Sequence, residues 1–198
     1  MLLRGGYSQT VEDPGNQGGK AMKRRMYVPL VIALLVLLGC SNARDKALKE
    51  YNKGVEYEAK GMTDLAEQHY KFALDIDPSS ADAEAALGTL YLAAGYYDDA
   101  RDRLLRAFQL YNEAWERGDV VTYLKGYTPE EAIARVINNI GVIDLRRAVL
   151  DEAKFGEVDL EQIQLAMMSF EKALEFDPES VQAKDNIKRI REYYKIGD

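Results

Sequence analysis

The chain has 198 residues, with 26 Lys+Arg against 33 Asp+Glu, a net charge of −7, one cysteine and one histidine. That length fits one ordinary domain behind a leader. An acidic balance with no basic cluster beyond Cys40 argues against a nucleic-acid surface, and a single cysteine excludes a disulfide framework.

Residues 1–21 are Gly-rich, polar and aperiodic, whereas Met22 stands directly before Lys23-Arg24-Arg25, so Met22 is the expected initiator. The basic patch leads into an apolar run from Met26 to Leu38. Its 13 residues fall short of the roughly 20 that cross a bilayer and match the h-region of an export signal. Leu37-Leu38-Gly39-Cys40 resembles the lipobox of bacterial lipoproteins. That resemblance implies diacylation of the Cys40 thiol, cleavage before it, and Cys40 as the mature N-terminus. Residues 1–39 then form the signal peptide, 40–42 the lipidated cysteine and a short linker, and 43–198 the folded domain. Ser41 in place of aspartate resembles the pattern that permits transport to the outer membrane, so a lipid-anchored, periplasm-facing protein of the bacterial envelope is expected. Without residues 1–39 the charges fall to 21 basic and 31 acidic, a net −10. Attachment must therefore come from the acyl chains, not from attraction to anionic lipid.

From Ala43 onward the apolar spacing is helical and strand-like alternation is absent. Breaks fall at Gly61, Asp77-Pro78-Ser79-Ser80, Gly95, Gly118, Gly156 and Asp177-Pro178-Glu179-Ser180. Cap candidates follow them at Thr63, Ser79 or Ser80, Thr128, Asp159 and Ser180. Thr128-Pro129-Glu130-Glu131 reads as a capping box with proline at the first helical position. The expected helices are 43–60, 63–76, 80–94, 97–117, 129–155, 160–176 and 180–195, an all-α domain.

A repeat emerges within them. Gly54, Tyr57, Gly61, Ala66, Tyr70, Ala73 and Pro78 recur 34 residues later as Gly88, Tyr91, Gly95, Ala100, Leu104, Ala107 and Asn112. This period and small–aromatic–small spacing resemble the tetratricopeptide repeat. Gly54 and Gly88 should lie where paired helices approach too closely for a side chain. A third copy begins at Asn138-Asn139-Ile140-Gly141 and closes with Ala166, Phe170, Ala173 and Pro178, with Asp144 in the tyrosine position. Gly141 to Ala166 spans 25 residues against 12 from Gly54 to Ala66, so 13 are inserted. Helical patterns continue through the extra length, which predicts overlong, antiparallel helices over 97–117 and 129–155 and a projecting connection at 118–128. The expected fold class is an α-solenoid of antiparallel helix pairs, with repeats at about 47–80, 81–114 and 129–180. The charged outer face of 180–195 marks a capping helix.

Catalytic chemistry has little to work with. His69 is alone, no phosphate loop, zinc motif or nucleophile elbow is present, and helix-end placement accounts for the carboxylates. No enzyme activity, metal or cofactor is expected. The resemblance implies instead a groove lined by the first helix of each repeat. By register its candidates are Leu48, Tyr51, Asn52, Val55 and Glu58, then Asp82, Ala85, Ala86, Thr89 and Leu92, then Arg135, Asn138, Asn139, Val142 and Leu145. One subgroup of the family clamps a peptide's terminal carboxylate with lysines, an arginine and asparagines. Here the matching positions are Tyr51, Val55, Ala86, Arg135 and Asn139, and only the last two remain polar, so such a clamp is disfavoured. Trp115, one turn after Tyr111, is either core packing against Ile133 or Val136 or, with Tyr111, an aromatic anchor on the projecting hairpin. The resulting expectation is an envelope scaffold that holds other envelope proteins or peptides and assists assembly or docking of a larger complex. Its alternatives are a self-assembling structural lipoprotein, using the last helix or the hairpin, and an enzyme or small-ligand binder with a site under the hairpin.

Overall fold

A computed structural model describes residues 43–118 and 127–195. Among them are seven helices and no strand: α1 over 43–59, α2 (Thr63–Ile76), α3 (Ala81–Ala94), α4 (Tyr97–Glu116), α5 (Pro129–Phe155), α6 (Leu160–Phe176) and α7 (Val181–Tyr194). The predicted limits hold to within a residue or two. Their punctuation is chemical. Gly61, Gly95, Gly118 and Gly156 all take positive φ, where a side chain would be strained. At the start of α5, Thr128 Oγ1 accepts from the Glu131 amide at 3.2 Å while the Glu131 carboxylate accepts from the Thr128 amide at 2.7 Å, completing the capping box. Ser80, not Ser79, caps α3, and Asp159 caps α6. Two cap expectations fail. Thr63 is the first residue inside α2, with Met62 before it making no side-chain cap, and Ser180 holds the cap position of α7 without a side-chain bond.

Successive helices pack as pairs, α1 with α2, α3 with α4 and α5 with α6, and each pair meets at a glycine. A Cβ on Gly54 would lie 2.5 Å from the Tyr70 ring, one on Gly88 2.7 Å from Leu104, and one on Gly141 2.8 Å from Phe170. The three glycines thus face the three large residues that the repeat register pairs with them. Tyr70, Leu104 and Phe170 are each almost wholly buried, a gain of about 1.5–3 kcal/mol for a large apolar side chain. Ala66, Ala100 and Ala166, with Ala73, Ala107 and Ala173, are fully buried where helices crowd. The third pair is longer than the others. α5 has 27 residues and α6 has 17, against 14 each in α2 and α3, so much of the 13-residue insertion continues helix. α4 has 20 residues and runs antiparallel to α5, since Trp115 meets Glu130, Arg101 meets Asp144 and Asp98 meets Arg147 in reversed order. The connection predicted to project, apart from its ends, lies outside the described residues.

One break in the repeat pattern has a local compensation. In the regular register, Tyr91 on α3 donates its hydroxyl to Glu67 on α2 at 2.8 Å. One repeat on, Asp144 replaces the tyrosine and Arg101 replaces the glutamate, and they pair at 2.6 Å. Asp144 is only 1% exposed, and burial pushes its carboxyl upward while Arg101 and Arg147 pull it back. The interface keeps its polar tie and changes its chemistry. α7 closes the stack by burying Ala183 and Ile190, leaving Lys184, Asp185, Lys188 and Arg191 on the outside, as a terminal helix requires.

Candidate functional site

α1, α3 and α5, the first helices of the three pairs, share a cavity of about 480 Å³. Its size falls in the ordinary range for ligand pockets. Small residues on α3 and α5, namely Ala85, Ala86 and Ala132, line the space, and Val55 and Val136 add apolar wall. The second helices supply the floor, because Tyr70 and Tyr111 reach between the first helices from below.

Two carboxylates meet this floor. Tyr111 donates its hydroxyl to Asp82 at 2.6 Å, and Tyr70 donates to Glu58 at 2.6 Å. Asp82 is 2% exposed, whereas Glu58 stands at the mouth in contact with solvent. Burial, aided by these neighbouring carboxylates, pushes the Tyr51, Tyr70 and Tyr111 hydroxyls well above the usual phenol range, so all three stay protonated donors. On the opposite wall Asn139 donates to Thr89 Oγ1 at 3.1 Å, and Thr89 donates to the Ala85 carbonyl at 2.9 Å. The exposed Arg135 guanidinium lies 4.6 Å over the Tyr127 ring.

Nine of the fifteen groove residues expected from sequence line this one cavity: Tyr51, Val55 and Glu58, then Asp82, Ala85, Ala86 and Thr89, then Arg135 and Asn139. Six do not. Asn138 is buried and accepts from Asn186 on α7 at 3.0 Å, so it ties the cap to the stack. Leu92, Val142 and Leu145 are half-buried against the core, Leu48 is half-buried against the cluster around Tyr51 and Tyr70, and Asn52 is exposed outside the cavity. Tyr111 is 2% exposed, which places it in the groove floor and removes it as an anchor on a projecting surface. Trp115 stays 47% exposed, packs edge-on against Phe176 at 6.1 Å and donates to Glu130 at 3.1 Å. Its aromatic partner is on α6 and its hydrogen-bond partner on α5. Tyr70 was missed as a groove residue because its second-helix register marks it as core, and Tyr111 because it falls where α4 runs on beyond the repeat boundary toward the hairpin. His69 stacks on Tyr57 at 5.1 Å with Nδ1 2.8 Å from Glu50, a packing arrangement. Among the described residues no group of three or more His, Cys, Asp or Glu is placed to hold a metal, and no helix is long and apolar enough to cross a membrane.

Comparison with known proteins agrees with this geometry. A tetratricopeptide-repeat profile matches residues 57–117. No curated protein matches the chain significantly. Among solved structures, the chain is similar to the first tetratricopeptide domain of Spaghetti (RPAP3) bound to the HSP90 peptide SRMEEVD, at 18% identity, covering 76% of this chain and 94% of that one with a TM-score of 0.55. It is also similar to the N-terminal domain of stress-induced protein-1 from C. elegans, at 15% identity, 75% and 97% coverage and a TM-score of 0.54. A third similarity is to a mutant O-GlcNAc transferase of Thermobaculum terrenum, at 20% identity and a TM-score of 0.55, covering 80% of this chain but 24% of that one. At these identities the likeness shows the fold, and the fold is an all-α solenoid of tetratricopeptide repeats.

Proposed function

We propose that this protein is a non-enzymatic scaffold of the bacterial envelope, anchored through lipid on Cys40, that holds a segment of another protein in the groove of α1, α3 and α5. The observation that carries the binding part is the cavity itself. Three helices from three repeats converge on it, and its walls are mostly apolar with a few fixed polar groups, the composition expected where an extended or helical segment docks. Tetratricopeptide domains of this fold bind peptides, as in the RPAP3 complex with the HSP90 peptide. The location rests on the sequence from Lys20 to Cys40. With α1 described from residue 43, only Ser41 and Asn42 separate it from the cysteine, a reach of roughly 10 Å at full extension. The first repeat would then work close to the bilayer.

Fractionation and crosslinking in cells, followed by mass spectrometry, test the proposal together. The full chain should partition with membranes and crosslink reproducibly to one or a few envelope proteins. A soluble full chain would remove the anchor, and recovery of no envelope protein above background would remove the scaffold.

A further inference from the structure

From the groove's charge pattern we infer that its occupant carries a lysine or arginine side chain, seated in the cavity over the tyrosine floor and paired with the carboxylates of Glu58 and Asp82. This rests on the groove reading above and adds the chemistry of the partner.

The groove carries two acidic side chains and one basic one. Asp82 is at the base, where water is scarce and its field is weakly screened, and Glu58 stands at the mouth directly above Tyr70. The rings of Tyr51 and Tyr70 lie 5.6 Å apart, and with Tyr111 they form an aromatic base to the space, each almost wholly buried. Carboxylates and aromatic faces together favour a cation, while the apolar wall of Val55 suits the methylene stem of a long basic side chain. Each polar group here already has a partner, Tyr111 on Asp82, Tyr70 on Glu58, Tyr127 under Arg135 and Thr89 on Asn139, so the preference is set by net charge, two carboxylates against one guanidinium. In the RPAP3 complex the bound peptide, SRMEEVD, ends in acidic residues. This groove therefore presents the opposite preference. The acidic surface of the whole chain, net −7, acts in the same direction by steering basic segments toward it.

The test is selection from a library of ten-residue peptides, randomised at every position, on the full chain purified in detergent. Because charge-assisted pairing is involved, peptides recovered by the wild type should show roughly tenfold enrichment of Lys or Arg at one position. Asp82→Asn and Glu58→Gln should each reduce that enrichment severalfold, while Lys188→Gln on the outer face of α7 should leave it unchanged. Circular dichroism checks folding, and if Asp82→Asn does not fold, the solvent-facing Glu58→Gln carries the test. Enrichment of acidic residues or of a free C-terminal carboxylate overturns the inference, as does basic enrichment that persists in both groove variants. Recovery of peptides without charge preference overturns it while leaving the groove reading intact. Recovery of no peptide above a bead-only control overturns it and counts against the groove reading as well.

Discussion

Removing Arg101 should cost stability in a way that depends on pH. Its partner Asp144 has a side chain 2% exposed, whereas the Arg101 side chain is 29% exposed, so the two ends of the pair are solvated unequally. Arg101→Ala leaves a carboxylate in the α4–α5 interface with only the weaker attraction of Arg147. Stranding a fully buried charge costs about 3–5 kcal/mol. Partial exposure of the arginine and the help from Arg147 reduce this to about 2 kcal/mol at pH 7, with loss of the arginine stem included. The sign of the pH dependence follows from linkage. Burial already raises the Asp144 carboxyl in the native state, so between its ordinary value and its native value the folded protein binds the extra proton and stability falls as pH rises. Without Arg101 the native value climbs further and that window extends upward. Urea denaturation of wild type and variant at pH 7 and near pH 4.5 measures the difference. The cost should be largest at pH 7 and shrink in acid, where Asp144 takes up a proton. A cost that is the same at both pH values, or absent at pH 7, would refute the argument that the pair replaces the tyrosine–glutamate tie of the preceding repeat.

Gly54→Ala should destabilise by about 2 kcal/mol, overpacking against Tyr70 outweighing the gain in helix propensity, and a fall in the urea midpoint measures it. Gly61→Ala should cost only about 1 kcal/mol by the same assay, because its Cβ meets open space and the penalty is left-handed backbone alone. Thr128→Ala removes half of the capping box and should cost about 1 kcal/mol, with faster amide exchange confined to the first turn of α5. Cys40→Ser should leave the repeats folded by circular dichroism but release the chain from membranes or hold it as an unprocessed precursor; continued membrane partition of a processed form would contradict the lipid anchor.

Much of the fold was legible because the repeat register carries physical constraints that survive change in residue type. A glycine on one helix and a large residue 16 positions later, as in Gly54 and Tyr70, announce a close approach before any coordinates exist. The insertion in the third pair was readable as helix because its apolar spacing continues through Arg147–Phe155. Less was legible where rotation about a helix decides the outcome. Asn138 and Asn139 are adjacent, yet a turn of 100° per residue sends one to α7 and the other to the groove. Trp115 reaches both ways: it donates to Glu130 on α5, as local pattern suggests, and its ring partner Phe176 comes from α6, a distant part of the chain. Asp144 in the tyrosine position reads from sequence as a break in the repeat, because its partner Arg101 lies 43 residues away and only the fold brings the two together.

Site-specific photo-crosslinking in cells tests the central claim most directly. A photoreactive residue placed at Ala86, on the groove wall, should capture one envelope protein, and the same residue at Lys188, on the outer face of α7, should not. Equal capture at both positions, or capture at Lys188 alone, would contradict a function exercised through the groove.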